Sequence, residues 1–189
     1  MLVLAPLSTE RLLLRAFVSG DLDDVHAMQS DPEVVRYLFW ELRSREESAA
    51  WLRAREAEDR LQADGDVVTY AVERRSDGRV LGSVNLWWRS VAHQQGEIGF
   101  VFVPHAQGQG YAQEAVTALL DVAFRELDLH RVRGTADARN TASAALMRRL
   151  GMRQEAHLRE SEMFKGAWGD VVVFAVLRAE WDARESRAD

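Results

Sequence analysis

The chain has no cysteine, which excludes disulfides, thiolate metal sites and a cysteine acyl-enzyme. A reducing compartment fits, and the expected location is cytoplasmic. It also lacks an apolar run long enough to cross a bilayer. Met1-Leu2-Val3-Leu4-Ala5-Pro6 is apolar but too short, with no basic stretch before it as in a secretion signal. No membrane partner is expected. Positive charge is in deficit: 24 Lys+Arg against 30 Asp+Glu give a formal net charge of −6. General nucleic-acid binding, which rests on cations neutralising phosphates, is therefore disfavoured. The five histidines are scattered without H-E-x-x-H or other ligand spacing, and no G-x-S-x-G is present, so neither a metal nor a hydrolase elbow is expected. Internal repeats, low-complexity tracts and linkers are missing too. With 47% hydrophobic and 29% charged residues, the chain reads as one α/β domain over 1–189, with a frayed tail from about 183.

What stands out is Gln107-Gly108-Gln109-Gly110-Tyr111-Ala112, between an apolar strand-like run, Glu97 to Val103, and a helix-like run reaching about Leu127. Glycines at 108 and 110 permit positive φ and close backbone approach, so that successive N–H groups converge on one point. The helix behind adds its positive end, which favours a phosphate over a cation. No lysine follows Gly110, so a Walker loop is ruled out. The dinucleotide fingerprint G-x-G-x-x-G has Gln113 at its third position and no preceding βαβ unit, and is weak. The pattern Q/R-x-x-G-x-G/A fits Gln107, Gly110 and Ala112 in register. An ordinary strand-turn-helix corner stays open as the plain alternative.

The remaining elements follow from period and punctuation. Thr9 to Arg15 reads as a strand and Asp21 to Ser30 as a helix, with Pro32 offering a new helix start. Tyr37-Leu38-Phe39-Trp40 is either a core patch or an aromatic wall for a substrate. Ser44-Arg45-Glu46-Glu47 has capping-box spacing and opens a charged helix predicted to reach about Leu61. Val67 to Arg74 and Val80 to Trp88 form an expected hairpin. Trp87 and Trp88 face opposite sides, so one of them is free to line a cleft. Glu97 opens the next strand as a solvated end or as a partly buried base. His130 to Ala136 alternates as a strand, Ser143 to Leu150 is a short helix closed by Gly151, and Met152 to Phe164 and Val171 to Leu177 flank a turn at 165–170.

Several separated motifs together resemble the GNAT superfamily of acyl-CoA N-acyltransferases, and within it the RimJ/RimL-like branch. They are Thr9-Glu10-Arg11-Leu12, Glu97-Ile98-Gly99-Phe100, the glycine loop, Asn140-Thr141-Ala142-Ser143, Leu150-Gly151-Met152, an acidic Glu162 and Trp168-Gly169-Asp170. The resemblance spans nearly the whole chain. It implies the GNAT fold: a mixed, mostly antiparallel sheet that splays beside a CoA pyrophosphate loop, with helices on both faces. It implies acetyl-CoA as donor and direct attack by a primary amine, either a protein N-terminus or a small molecule. On this basis Val101, Phe102 and Val103 offer backbone groups to the pantetheine arm. The N–H groups of Gln107, Gly108, Gln109, Gly110, Tyr111 and Ala112 hold the pyrophosphate, and Asn140 bonds the cofactor. Because the position where many relatives carry tyrosine is Met147, Ser143 is the candidate donor to the leaving thiolate, unless that proton is not supplied by a side chain; a helix-cap or packing role is the alternative for Ser143. Glu162, slightly preferred, and Glu97 are the candidate bases. Trp40, Trp87 and Trp88 are candidate acceptor contacts, and a homodimer is implied as a possible assembly. The missing tyrosine leaves open a CoA-binding sensor or scaffold without turnover.

Overall fold

A computed structural model gives the fold and describes residues 2–3, 5–56 and 60–185. In chain order the elements are β1 (Leu2–Val3), β2 (Leu7–Ser8), β3 (Leu12–Arg15), α1 (Leu22–Gln29), α2 (Pro32–Val35), α3 (Arg45–Glu56), β4 (Arg60–Leu61) and β5 (Val67–Arg74). After these come β6 (Val80–Ser90), β7 (Gln95–Phe102), α4 (Tyr111–Asp121), β8 (Arg131–Asp137), α5 (Thr141–Arg149), β9 (Arg153–Phe164), β10 (Ala167–Leu177) and α6 (Arg178–Glu185). Eight strands form one sheet in the order β2-β3-β5-β6-β7-β8-β10-β9, and β1 pairs with β4 apart from it. All neighbours in the large sheet are antiparallel except β7 and β8.

Alternation along the strands separates two faces. Tyr70 and Val72 of β5, Leu86 of β6 and Ile98 of β7 join the main core, against which α4 lays Ala115, Val116, Leu119 and Leu120. Those four side chains are fully buried; each of the leucines contributes roughly 1.5–3 kcal/mol by burial. Ala71 points the other way and meets Phe17, Val25 of α1 and Leu52 of α3 in a smaller cluster. Helices therefore cover both faces.

Local chemistry sets the element ends. Asp31 Oδ1 accepts the Glu33 N–H with Pro32 in the first helical position. Ser44 and Glu47 close a reciprocal capping box, the Glu47 N–H donating to Ser44 Oγ (3.2 Å) and the Ser44 N–H to Glu47 Oε2 (2.8 Å). Three expectations need correction. The helix α3 stops at Glu56, and Leu61 lies in a strand; residues 57–59 fall outside the described residues. The tail is helical to Glu185, since Trp181 is buried and Arg184 donates to the Leu150 carbonyl at 2.9 Å; residues 186–189 lie outside the described residues. Finally, the hairpin turn near 165–170 is tighter than expected, so Trp168 and Asp170 belong to β10.

Candidate active site

The parallel pair creates the opening on which the site is built. Register between β7 and β8 runs from Gln95↔Arg131 to Ile98↔Gly134 and ends there, while β7 continues to Phe102 and β8 to Asp137. Beyond Ile98, β7 pairs with no strand other than β6 among the described residues. The Val103 N–H donates to the Leu81 carbonyl at 3.0 Å, and a Cβ on Gly82 would lie 2.2 Å from the Val101 oxygen. Val101 and Val103 thus turn their backbone groups toward β6. Because successive residues of a strand point their N–H and C=O to opposite edges, Phe100 and Phe102 turn theirs into the opening. Of the three residues expected to offer backbone to pantetheine, only Phe102 has that orientation. Phe100 takes the place assigned to Val101 and Val103.

The glycine loop borders the same opening. Gly108 (φ 73) and Gly110 (φ 82) are left-handed, the region glycine enters without a Cβ penalty. Gly110 caps α4, whose first intrahelical bond is Glu114 N–H to the Gly110 carbonyl at 3.0 Å. Among the described residues, the six N–H groups from Gly108 to Gln113 have no hydrogen-bond partner, so the turn and the helix end present a run of free donors. Gln109 and Tyr111 contribute only backbone. The Gln109 side chain folds back to the His105 carbonyl (2.7 Å), and the Tyr111 ring lies under the Arg11 guanidinium (4.5 Å). Gln107 reaches the Phe102 carbonyl with Nε2 (3.4 Å).

A cavity of about 590 Å³ fills the opening. Phe100, Val101, Phe102, Gln107, Gly108, Gly110 and Ala112 line one wall, and the capping Asn140 with Ser143, Leu146 and Arg149 of α5 lines the other. Asn140 Oδ1 accepts the Ser143 N–H at 3.0 Å, the side-chain cap that starts α5. Ser143 Oγ has no hydrogen bond among the described residues and is half-buried in the wall. Met147 does not reach the cavity: it is buried, and a Cβ on Gly134 would lie 2.9 Å from its sulfur. The roof comes from Glu33, Arg36, Tyr37 and Leu38; Tyr37 and Leu38 belong to the segment read as a core patch or an aromatic wall, whereas no sequence motif marks Glu33 or Arg36. The β9–β10 hairpin ties down this roof through Lys165 Nζ, which donates to the Val35 carbonyl at 2.9 Å, and through Phe164 against Phe39 at 5.6 Å.

The two candidate glutamates part company. Glu97 is buried, and its Oε2 accepts from Arg89 Nε and Arg133 Nε, both at 2.8 Å, while Oε1 faces Thr135 Oγ1 at 3.4 Å. It is the centre of an arginine clamp. Glu162 is exposed on β9 opposite Gly169. Neither carboxylate lines the cavity, and the structure does not bring them together. Register puts Trp87 beside Glu97 and Asn85 beside Gly99 on one sheet face; Gly99 is needed there, since a Cβ would sit 2.5 Å from Asn85 Oδ1 and 3.0 Å from the Trp87 ring. Trp88 faces the core at 9% exposure, which removes it as an acceptor contact. Trp40 stacks on Arg43 (4.6 Å) and lines no part of the cavity.

A strand edge left open beside a cradle of unpaired N–H groups suits an extended ligand that carries an anionic group. Comparison with known proteins agrees. Residues 11–153 match the family model described as acetyltransferase (GNAT) domain. The chain is 28% identical over 176 residues to the uncharacterized N-acetyltransferase YnaD of Bacillus subtilis (strain 168), covering 93% of this chain and 99% of YnaD. A crystal structure of an acetyltransferase (GNAT family) from Bacillus anthracis superposes with a TM-score of 0.83 at 27% identity, over 93% of this chain and 99% of that one. The spermidine N-acetyltransferase of Vibrio cholerae, solved in complex with CoA and spermine, gives a TM-score of 0.76 at 25% identity, over 92% and 99% of the two chains. The chain belongs to the GNAT acetyltransferase family. It is an acetyl-CoA-dependent N-acetyltransferase, with an amine as acceptor.

Proposed function

We propose that the acceptor is the α-amino group of a protein or peptide N-terminus, as in the RimJ/RimL-like branch, and that the enzyme works in the cytoplasm. One observation carries this reading. Among the described residues, the cavity wall holds a single carboxylate, Glu33, with Arg36 at 3.8 Å, and no histidine. An alkyl ammonium with a pKa of about 10.4 needs a base to become nucleophilic near pH 7, whereas an α-amine of about 7.7–8.0 is already partly neutral. A polyamine would also call for several free carboxylates, and Glu97 is committed to its arginines. Phe39, exposed at 71% beside the roof residue Leu38, suits a peptide better than a small polar cation.

In this reading the free N–H groups from Gly108 to Gln113 hold the pyrophosphate. Arg149, which lines the cavity and has no ion-pair partner among the described residues, adds a cation for the CoA phosphates. Asn140 carries out its cap and fixes α5 against the donor. The N–H of Phe100 or Phe102 polarises the thioester carbonyl. Ser143 Oγ hands its proton to the departing sulfur and takes up, through water, the proton lost by the amine, so that neutral amine and thioester give amide and thiol. Glu162, on the exposed hairpin, draws the N-terminus in. A homodimer belongs to the same proposal and is read from solution mass.

Thiol release from acetyl-CoA tests the proposal with three acceptors: a short peptide with a free N-terminus, its N-blocked lysine-containing counterpart, and spermidine, over pH 6.5 to 9. The free-N-terminus peptide is expected to give at least about tenfold higher kcat/KM than the other two near pH 7.5, with the rate rising through a pKa near 8. Preference for spermidine or for the lysine side chain overturns it.

A further inference from the structure

The opening strand and the phosphate loop are 98 to 105 residues apart at their contacts, yet they are locked together by one carboxylate. Glu114 Oε1 accepts from Thr9 Oγ1 (2.6 Å) and from the Arg11 N–H (2.8 Å), and its Oε2 accepts from Arg11 Nε (2.7 Å) and pairs with Nη2 (2.7 Å). The remaining end of the guanidinium, Nη1, donates to the Gln109 carbonyl at 2.9 Å. Its flat face covers the Tyr111 ring. Arg11 therefore touches the loop at its carbonyl, at its helix start and at the first-turn glutamate.

The bond to Gln109 has a directional consequence. In a trans peptide the C=O and the following N–H point in opposite directions, and none of the peptide bonds is cis. Drawing the Gln109 oxygen outward to Arg11 turns the Gly110 N–H inward, to the side where Gly108, Gly110 and Ala112 line the cavity. A second consequence is electrostatic. Glu114 is a carboxylate in the first turn of the helix whose end should receive an anion, and uncompensated it would oppose a pyrophosphate. Although burial works to raise its pKa, the hydrogen bonds from Thr9 and Arg11 hold the carboxyl below its ordinary value. The charge stays, but it is matched by Arg11.

We infer that Arg11, held by Glu114 and Thr9, is a positioning residue for acetyl-CoA: it sets the orientation of the 109–110 peptide and neutralises the first turn of α4, so that the loop is preformed for a pyrophosphate. The inference rests on the reading of Gly108 to Gln113 as the pyrophosphate site. It gives the Thr9-Glu10-Arg11-Leu12 motif a task in donor binding, beyond that of opening a strand.

The test compares CoA with pantetheine, which lacks the nucleotide and its pyrophosphate, by calorimetry on the full-length wild type, Arg11→Ala and Arg11→Lys. Arg11→Ala is expected to weaken CoA by about tenfold or more, the scale of a lost charge-assisted hydrogen bond, with pantetheine affinity held within about twofold. Arg11→Lys keeps the charge but not the fork and is expected to lose CoA affinity as well. Should Arg11→Ala fail to fold, Arg11→Lys and Thr9→Val, which removes a single donor to Glu114, carry the same comparison. If the wild type binds CoA no better than pantetheine, the phosphate-loop reading falls and the clip with it. If the wild type discriminates and the folded variants discriminate equally well, the clip alone is overturned, as it is by an equal loss for both ligands, the mark of general structural damage.

Discussion

Gly110→Ala puts the donor loop under a calculable load. At φ 82 and ψ −4 the residue is left-handed, and an L side chain there costs roughly 1–2 kcal/mol. The new Cβ would also lie 3.2 Å from Arg11 Nη2, a contact that the long arginine can relieve with a small shift. If the loop keeps its shape, the cost appears as stability, and for a chain of this size it lowers Tm by about 2–8 °C. If the loop relaxes instead, the 109–110 peptide turns and one N–H aimed at the pyrophosphate is lost. A hydrogen bond to a charged group is worth about 1.5–3 kcal/mol, which means CoA binding weaker by about 10- to 150-fold. Differential scanning fluorimetry and calorimetric Kd for CoA read the two channels separately. Gly78→Ala is the control, because Gly78 has φ 71 and open space around its Cβ position in the β5–β6 turn. It should lower Tm by a similar amount and leave CoA binding unchanged. A Gly110→Ala variant with wild-type Tm and wild-type Kd would refute both the strain and the role of the loop.

Three further outcomes follow from packing and charge. Gly134→Ala brings a Cβ to 2.9 Å from the buried Met147 sulfur, so it should destabilise by about 1–3 kcal/mol, and the double variant Gly134→Ala, Met147→Ala should recover part of the loss in urea unfolding. At the Glu97 clamp, Arg89→Ala or Arg133→Ala alone should cost less than about 1 kcal/mol because the other guanidinium remains, while the pair should cost about 3 kcal/mol or more by stranding a buried carboxylate. Additive costs in that cycle would contradict the clamp. Glu114 has a folded-state pKa below its unfolded one, so its contribution to stability is present above the ordinary glutamate pKa and is lost as pH falls through the folded value. Glu114→Gln should therefore flatten the loss of Tm between about pH 5 and pH 3, and an unchanged acid slope would count against the clip.

Local sequence carried the parts of the site that local physics determines. The glycine loop was legible because left-handed φ at 108 and 110 needs glycine, and the cap of α5 because an Asn three residues before a Ser bonds its N–H. The resemblance pointed to the splayed sheet, but which residues of β7 face the opening was hidden: that depends on the pairing with β6 and on where β8 departs. Hence Phe100 was missed while Val101 and Val103 were named. The roof residues Glu33 and Arg36 line one cavity with residues of α5 about a hundred positions further along the chain, and no short-range pattern marks such a juxtaposition. The placement of Glu162 and of the aromatic pair depends on register in the same way. The pairing of β9 with β10 shifts twice, between Gly169 and Val171 and between Val173 and Phe174, and period 2 alone cannot say which of Trp87 and Trp88 meets the core. The ending of α3 was misread because Arg60 and Leu61 suit a helix as well as a short strand, and the pairing partner, Leu2–Val3, is far away in the chain.

The donor-site geometry is tested most directly by a backbone amide NMR titration of the protein with CoA. The six N–H groups from Gly108 to Gln113 should shift downfield together as a pyrophosphate accepts their hydrogen bonds, and the amides of Phe100 and Phe102 should move with them. Those of Val101 and Val103, turned toward β6, should move far less. Saturating CoA that leaves the amides of 108–113 in place, or that moves Val101 and Val103 while Phe100 and Phe102 stay, would contradict the site described.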